Sequence, residues 1–370
     1  MKVALAYRRF GPGAAVPNYC WQLARGFSRL WETWAFTREF DGGPDPVHVV
    51  RFPFAFRSKR LEYGLNSLVN RGIVSAHRAR ERFDIVHTQD GELVGGDLVT
   101  AHSLLRVVYR AFRRVDPEYV AWMPRSPLAW AEDLIYRTRR YRHIIASSER
   151  MQEALRRVYG VRVGDISLVR LGVDTSLFRP DPAARAAFRA EHSLGSDEPV
   201  LLHVSTDFER KGLRTILRAL ALLSPEPTLV VAGRGNEGAF RDFAAKLGVR
   251  NRLVFLGYRQ DLERVYAAAD LFVFPTRLDF FGYPVLEAMA CGVAPIVTQD
   301  AGVAELVEDG GNGYLIADPE DAGELADRVR GALGGDSARA GREARATAER
   351  FSTARMVADT RQVYERLVRR

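Results

Sequence analysis

Cysteine is scarce: Cys20 and Cys291 are the only two in 370 residues. Two thiols so far apart imply no disulfide framework, and cysteine-poor chains fit a reducing cytoplasm. No run of about 18 apolar residues occurs, so no segment reads as a bilayer-spanning helix. The start, Met1-Lys2-Val3-Ala4-Leu5-Ala6-Tyr7, reaches Arg8 and Arg9 too soon for a signal peptide and reads as a buried first strand. Asp-x-Asp is absent, and no Cys/His cluster has the spacing of a metal site. Internal repeats and low-complexity tracts are also missing.

What is present is ordinary in bulk and uneven in detail. Apolar residues make up 47% and charged residues 27%, as in a globular protein. The length suits two domains of roughly 150 residues each better than one core. The net charge is +8, with 28 basic against 17 acidic residues over 1–172 and 26 against 29 in the remainder. A basic half of this kind concentrates anionic partners: nucleic acid, anionic lipid or a phosphorylated glycan. No nucleic-acid motif or aromatic-interleaved basic strand supports the first of these.

Short apolar, β-branched runs alternate with amphipathic helical stretches. The expected strands are 2–7, 34–37, 47–52, 84–88, 97–101, 143–146 and 166–170, then 200–204, 228–232, 252–256, 270–274, 294–298 and 314–316. Strands without polar alternation are buried on both faces, as in parallel sheets, and intervening helices make βαβ units. The rhythm breaks over 172–199, with Pro180, Pro182, Gly195 and Pro199, and restarts at Val200. The chain therefore reads as α/β, with two Rossmann-like doubly wound domains, 1–172 and 173–351. Residues 352–370 form a terminal helix expected to pack back on the first. Open parallel sheets bind ligands at the carboxyl ends of their strands, so chemistry is expected in a cleft where two such sheets face each other.

The strongest segment is Asp270-Leu-Phe-Val-Phe-Pro-Thr-Arg-Leu-Asp279-Phe-Phe-Gly282-Tyr-Pro284-Val-Leu-Glu287-Ala-Met-Ala-Cys-Gly292. A buried strand ends, a loop follows, and a helix opens with Pro284 in its first turn, where a missing N–H costs nothing. Amides of Phe281, Gly282 and Tyr283 at that helix start make a site for a diphosphate. Asp279 is placed to hold sugar hydroxyls and Glu287 to accept from ribose. A second segment, Ser205-Thr-Asp207-Phe-Glu209-Arg210-Lys211-Gly212, also follows a strand and opens a helix. Cations are unfavourable at a helix start, so Arg210 and Lys211 call for an anion. Arg210 can fork onto phosphate oxygens while Lys211 supplies a compact charge.

These two segments resemble family 4 of the retaining glycosyltransferases, with its Glu-x7-Glu motif and trailing Glu-Ala-Met-Ala-Cys-Gly. Here the first acid is Asp279, shorter by a methylene. The loops Gly233-Arg234-Gly235 and Gly257-Tyr258-Arg259-Gln260-Asp261, the stretch from Ala301 to Ile316, and Leu171-Gly172-Val173-Asp174 are similar to further family segments. The resemblance implies the GT-B fold and transfer of a hexose from a nucleotide-sugar, UDP-glucose foremost, without metal or other cofactor. It implies Tyr258 and Arg259 near the base. In the first half it implies a Gly-rich loop beside the donor, here Gly11-Pro12-Gly13-Ala14-Ala15, and a histidine near the donor sugar, here His102 in Ala101-His102-Ser103. Gly13 and Asn18 are expected toward the acceptor side. Within the family the likeness is to lipopolysaccharide core glucosyltransferases, through Asp207-Phe-Glu-Arg210-Lys211-Gly.

Such enzymes work peripherally at the inner face of the cytoplasmic membrane on an anionic lipid-linked glycan, which suits the basic first half. The Arg-rich amphipathic stretches 107–114 and 134–142 suit an anionic interface. Two other readings stay open. One is a GT-B epimerase of UDP-N-acetylhexosamine, using His102 with Asp97 and Glu92. The other is a non-catalytic relative that binds nucleotide-sugar, for which Asp279 and the Ala14-Ala15 loop speak.

Overall fold

The computed structural model describes residues 1–42, 45–53, 59–91, 93–114, 116–224, 227–335 and 337–369, with backbone alone over 59–68. The chain divides into two compact units: Met1–Leu171 with Thr353–Arg370, and Gly172–Ser352. No described helix is long and apolar enough to cross a membrane.

In the first unit the strands are β1 (Lys2–Ala6), β2 (Arg9–Phe10), β3 (Glu32–Thr37), β4 (Glu39–Phe40), β5 (Val47–Arg51), β6 (Ile85–Gln89), β7 (Leu98–Ala101), β8 (His143–Ala146) and β9 (Ile166–Leu168). Seven of them form one sheet in the order β5-β3-β1-β6-β7-β8-β9, and every pairing is parallel. The two-residue strands β2 and β4 pair with each other. They extend the chain past β1 and β3 and are too short to show as sequence patterns. Trp34, Phe36, Val74, Phe83 and Val86 pack together on one face of the sheet.

The second unit has β10 (Val200–Ser205), β11 (Thr228–Gly233), β12 (Leu253–Gly257), β13 (Leu271–Phe274), β14 (Ala294–Thr298) and β15 (Tyr314–Ile316), in the order β12-β11-β10-β13-β14-β15, again all parallel. Strand residues Leu201, Val231, Leu271 and Ile296 meet Leu213, Ile216, Leu325 and Val329 from covering helices in one core. Both sheets reverse their strand order once, between β1 and β6 and between β10 and β13. Such switch points leave a crevice at the strand carboxyl ends.

Two local expectations are corrected. The proline-rich stretch before Val200 is not linker throughout: Pro182–Glu191 is a helix. The Asp181 side chain caps the Ala184 amide, and Pro182 occupies a first-turn position where proline is favoured. The segment 134–142 is not one amphipathic helix. The helix is Pro127–Arg137, capped by Ser126, and Arg139 has a left-handed backbone with φ 53°.

The helix Pro182–Glu191 also carries the main polar knot of the second unit. Arg189, 3% exposed, donates to the carbonyls of Ala268, Gly195, Ser196 and Glu198 and to Asp270 Oδ2 at 2.8 Å. Asp270 Oδ2 also accepts from the Val200 amide at 2.7 Å, which ties the starts of β10 and β13. Arg189→Ala strands the carbonyls of Gly195, Ser196 and Glu198, whereas Asp270 keeps Arg185 Nη2 at 2.5 Å. It should cost about 1–3 kcal/mol, read as a lowered urea midpoint.

Candidate active site

The site of the second unit is built where its sheet reverses order. The loop after β10 and the loop after β13 are stitched together residue by residue. The Arg277 amide donates to Arg210 O at 3.1 Å, and Arg210 Nη1 donates to Leu278 O at 3.0 Å. Lys211 Nζ and Asp279 Oδ2 form an ion pair with side chains 10% and 18% exposed. Gly212, at φ 81°, opens the helix Leu213–Leu220 so close to this seam that a Cβ would lie 2.1 Å from Pro275 O. Only glycine fits there. A third loop joins through the Gly302 amide, which donates to Asp279 O at 3.0 Å.

Each charge in the cluster has a defined holder. Arg210 Nε donates to Asp207 Oδ2 at 3.0 Å. Lys211 lies 5.0 Å from the centroid of the Phe274 ring. Burial pulls the Lys211 ammonium down to about 8, although Asp279 opposes the shift. Burial pushes the Asp279 carboxyl up, but Lys211 and Arg210 outweigh it and hold it below its ordinary value. Asp279 Oδ1 accepts from the Phe281 amide at 3.0 Å, so that amide holds the acid. The chain has only four lysines among its 54 basic residues. An ammonium is a point charge and a guanidinium a planar fork, so the two cations of the seam present different donor geometry.

Gly282 follows at φ 99° and caps the helix Tyr283–Ala290. The Tyr283 hydroxyl donates to Gly172 O at 2.7 Å. Glu287, on the same helix, is 9% exposed and accepts from the Tyr266 hydroxyl at 2.8 Å. Burial pushes its carboxyl up to about 7, only partly offset by that hydrogen bond. At the ends of β11 and β12, the Arg234 guanidinium lies 4.1 Å from the centroid of Tyr258, which is 40% exposed. Arg259 is held by Asp261 in a two-pronged pair, Nε–Oδ1 2.8 Å and Nη2–Oδ2 2.7 Å. Its Nε–Nη2 edge is committed to Asp261, and its flat face is presented for stacking.

The remaining predicted residues belong to the first unit. Gly13 takes φ 90°. Ala14 is extended at φ −151° and caps the helix Ala15–Ser28. Neither alanine of the Ala-Ala pair needs a left-handed backbone, so their Cβ atoms bring no strain. His102 follows β7. Its amide and that of Ser103 both donate to Asp90 Oδ1, at 2.7 and 3.1 Å. The next free amides, Leu105 and Arg106, donate to Glu132. Two carboxylates thus pin the whole turn that carries the histidine. His102 Nε2 lies 2.9 Å from Gln89 Oε1, and burial pulls the imidazole down to about 3, so it is neutral. With the Gln89 amide in this orientation its carbonyl oxygen accepts, so Nε2 carries the proton and Nδ1 is the acceptor nitrogen.

Asp97 is not a partner of His102. It precedes β7, at the opposite end of the strand, roughly 17 Å away at ~3.3 Å per residue. There it accepts from the Val86 amide and from Arg78. Glu92 lies outside the described residues. Asp90, Gln89 and Tyr266 carry no motif signal, and Arg234 is marked only by its loop, not by its place against Tyr258. Their roles are found only through the histidine, tyrosine and glutamate they hold. Among the described residues no group of His, Cys, Asp and Glu could hold a metal ion.

A fold of two parallel sheets, each with a basic or polar cluster at its switch point, defines a class that comparison with known proteins makes specific. The family described as Glycosyltransferase Family 4 matches residues 16–177, and that described as Glycosyl transferases group 1 matches 184–348. A D-inositol 3-phosphate glycosyltransferase of Xylanimonas cellulosilytica is 30% identical, over 97% of this chain and 93% of its own length. The lipopolysaccharide glucosyltransferase WaaG of Escherichia coli is 34% identical over 41% of this chain and 42% of its own. A crystal structure of WaaG shares the fold at TM-score 0.79 and 20% identity, over 98% of this chain and 99% of that one. Anabaena HepE, solved with UDP-glucose, shares it at TM-score 0.74 and 22% identity, over 98% and 100%. The chain belongs to glycosyltransferase family 4 and is a glycosyltransferase of GT-B fold.

Proposed function

We propose that the protein is a retaining, metal-independent hexosyltransferase that moves glucose from UDP-glucose to an anionic glycan or lipid-linked glycan. The observation that carries this reading is the Arg210–Lys211–Asp279 cluster at the carboxyl ends of β10 and β13. Two cations there supply the charge that a departing nucleoside diphosphate needs, in a dry setting where each counts for more than in water.

Lys211 and Asp279 hold each other. A diphosphate oxygen competes for the ammonium, and the carboxylate is then available to hydroxyls of the sugar. Arg210 and the amides of Gly282 and Tyr283 take further phosphate oxygens, and Gly13 and Ala14 of the first unit contribute donor-binding backbone. Glu287 accepts from ribose, and the base stacks at Tyr258 and Arg259. His102 accepts a sugar hydroxyl at Nδ1. The acceptor hydroxyl attacks the anomeric carbon from the face that UDP leaves. Its oxygen forms the new bond as the bond to phosphate breaks, and its proton passes to the departing phosphate oxygen. No protein nucleophile is needed.

The relative named for an inositol phosphate supports an anionic acceptor, and the basic excess of residues 1–172 agrees. UDP-glucose is supported by the HepE complex, and glucose by the name of WaaG. Trp122 and Trp130, 48% and 54% exposed beside exposed Arg125, support peripheral contact with an anionic membrane on the cytoplasmic side.

The test is turnover of UDP-glucose in EDTA over a panel of phosphorylated glycans. UDP should be released only when an acceptor is present, and proton NMR should show an α-linked product. A β-linked product would remove retention. Release of UDP with an epimerised free sugar and no acceptor would replace transfer with epimerisation.

A further inference from the structure

His102 stands against a buried hydrogen-bonded chain that begins on the terminal helix Thr353–Val368. Tyr364 Oη lies 2.7 Å from His87 Nδ1, and His87 Nε2 lies 2.7 Å from Thr100 Oγ1. Thr100 Oγ1 lies 3.0 Å from Tyr19 Oη. Thr360, on the same helix, donates from Oγ1 to Met356 O at 2.8 Å. Tyr19, His87, Thr100, Thr360 and Tyr364 are each no more than 1% exposed. The Tyr19 ring meets His102 edge-on, with centroids 4.9 Å apart and planes at 76°.

Burial holds the His87 imidazole neutral, so one of its nitrogens donates and the other accepts, and either tautomer links Tyr364 to Thr100. Thr100 passes the link on to Tyr19. A chain of four buried polar side chains adds little net stability over an apolar core of the same shape. What it adds is a fixed orientation for each ring. The side chain of His102 has a single described hydrogen bond, to Gln89, which leaves rotation about that axis open. The Tyr19 edge closes it.

We propose that Tyr364 is a positioning residue for sugar transfer: acting through His87, Thr100 and Tyr19, its hydroxyl sets the orientation of the His102 ring. The terminal helix then belongs to the catalytic machinery as well as to the core. The proposal rests on the transfer reading only in placing His102 beside the donor sugar.

The test compares Tyr364→Phe with Val363→Ala, a buried apolar truncation on the same helix. Tyr364→Phe leaves His87 Nδ1 without its hydrogen-bond partner. It should lower kcat about tenfold with KM within twofold. Val363→Ala should lower the melting temperature and leave kcat unchanged. In protein labelled with 13C at histidine Cε1, the His102 resonance, assigned by its loss in His102→Gln, should move in Tyr364→Phe and stay in Val363→Ala. An unmoved resonance with kcat unchanged in Tyr364→Phe would overturn the proposal. A His102→Gln enzyme that turns over like the wild type would count against the transfer reading instead, and the resonance would still decide the coupling.

Discussion

Replacing Lys211 with methionine should lower kcat/KM about a thousandfold, the upper end of what one lost stabiliser of transition-state charge costs. Methionine keeps the apolar stem against Phe274 and removes only the ammonium, so the fold is retained. Asp279 is then left without its nearest cation, and its carboxyl should rise above its present depressed value. Lys211→Arg should recover little, because a planar fork does not place its charge and donors where the ammonium does. The wild-type pH profile carries the same information. With Lys211 near 8 and protonated below that, kcat/KM should fall as pH rises past 8. A bound diphosphate strengthens the ammonium, so the matching limb of kcat should lie at higher pH. Both limbs should vanish in Lys211→Met, measured as initial rates between pH 6 and 10.

Glu287→Gln separates stability from binding. The Glu287 carboxyl sits near 7 in the fold, well above its ordinary 4.5. A raised acid favours the folded state fully below the unfolded value, and that contribution is lost as pH rises through the folded one. Wild type should therefore lose up to about 3 kcal/mol between pH 4.5 and 8.5 from this group. The amide that replaces the carboxyl still accepts from Tyr266 and does not ionise, so the variant should be more stable than wild type at pH 8.5 and equal to it at pH 5 in urea melts. Donor binding should move the other way. Ribose hydroxyls prefer the ionised carboxylate, so wild-type affinity should tighten from pH 6 to 8. The glutamine variant should bind roughly 10–100-fold more weakly and without that slope.

The alternation of apolar runs and helices made the doubly wound α/β class legible, because strands buried on both faces leave a pattern that depends on composition alone. The motif residues of the second half were legible for a related reason. Gly212 and Gly282 are demanded by backbone angle and close approach, Arg210, Lys211 and Asp279 follow strand ends, and Glu287 lies on the helix that comes next. What escaped was set by tertiary partners. The helix Pro182–Glu191 was hidden by prolines that in fact start it. Asp97 read as a neighbour of His102 by sequence distance, although a strand carries the two to opposite ends. Asp90, Gln89 and Tyr19 hold His102 across gaps of 12, 13 and 83 positions, and no local pattern marks such pairs.

The most direct test of the site is thermal stabilisation by UDP, GDP, ADP and dTDP and their common sugars in EDTA, in wild type, Lys211→Met and Glu287→Gln. Ligand that binds only the folded state raises the melting temperature with concentration. The account predicts a clear rise with UDP and UDP-glucose in wild type, lost in Lys211→Met and reduced in Glu287→Gln. No rise with any nucleotide in EDTA, or a rise that survives the loss of Lys211, would contradict it.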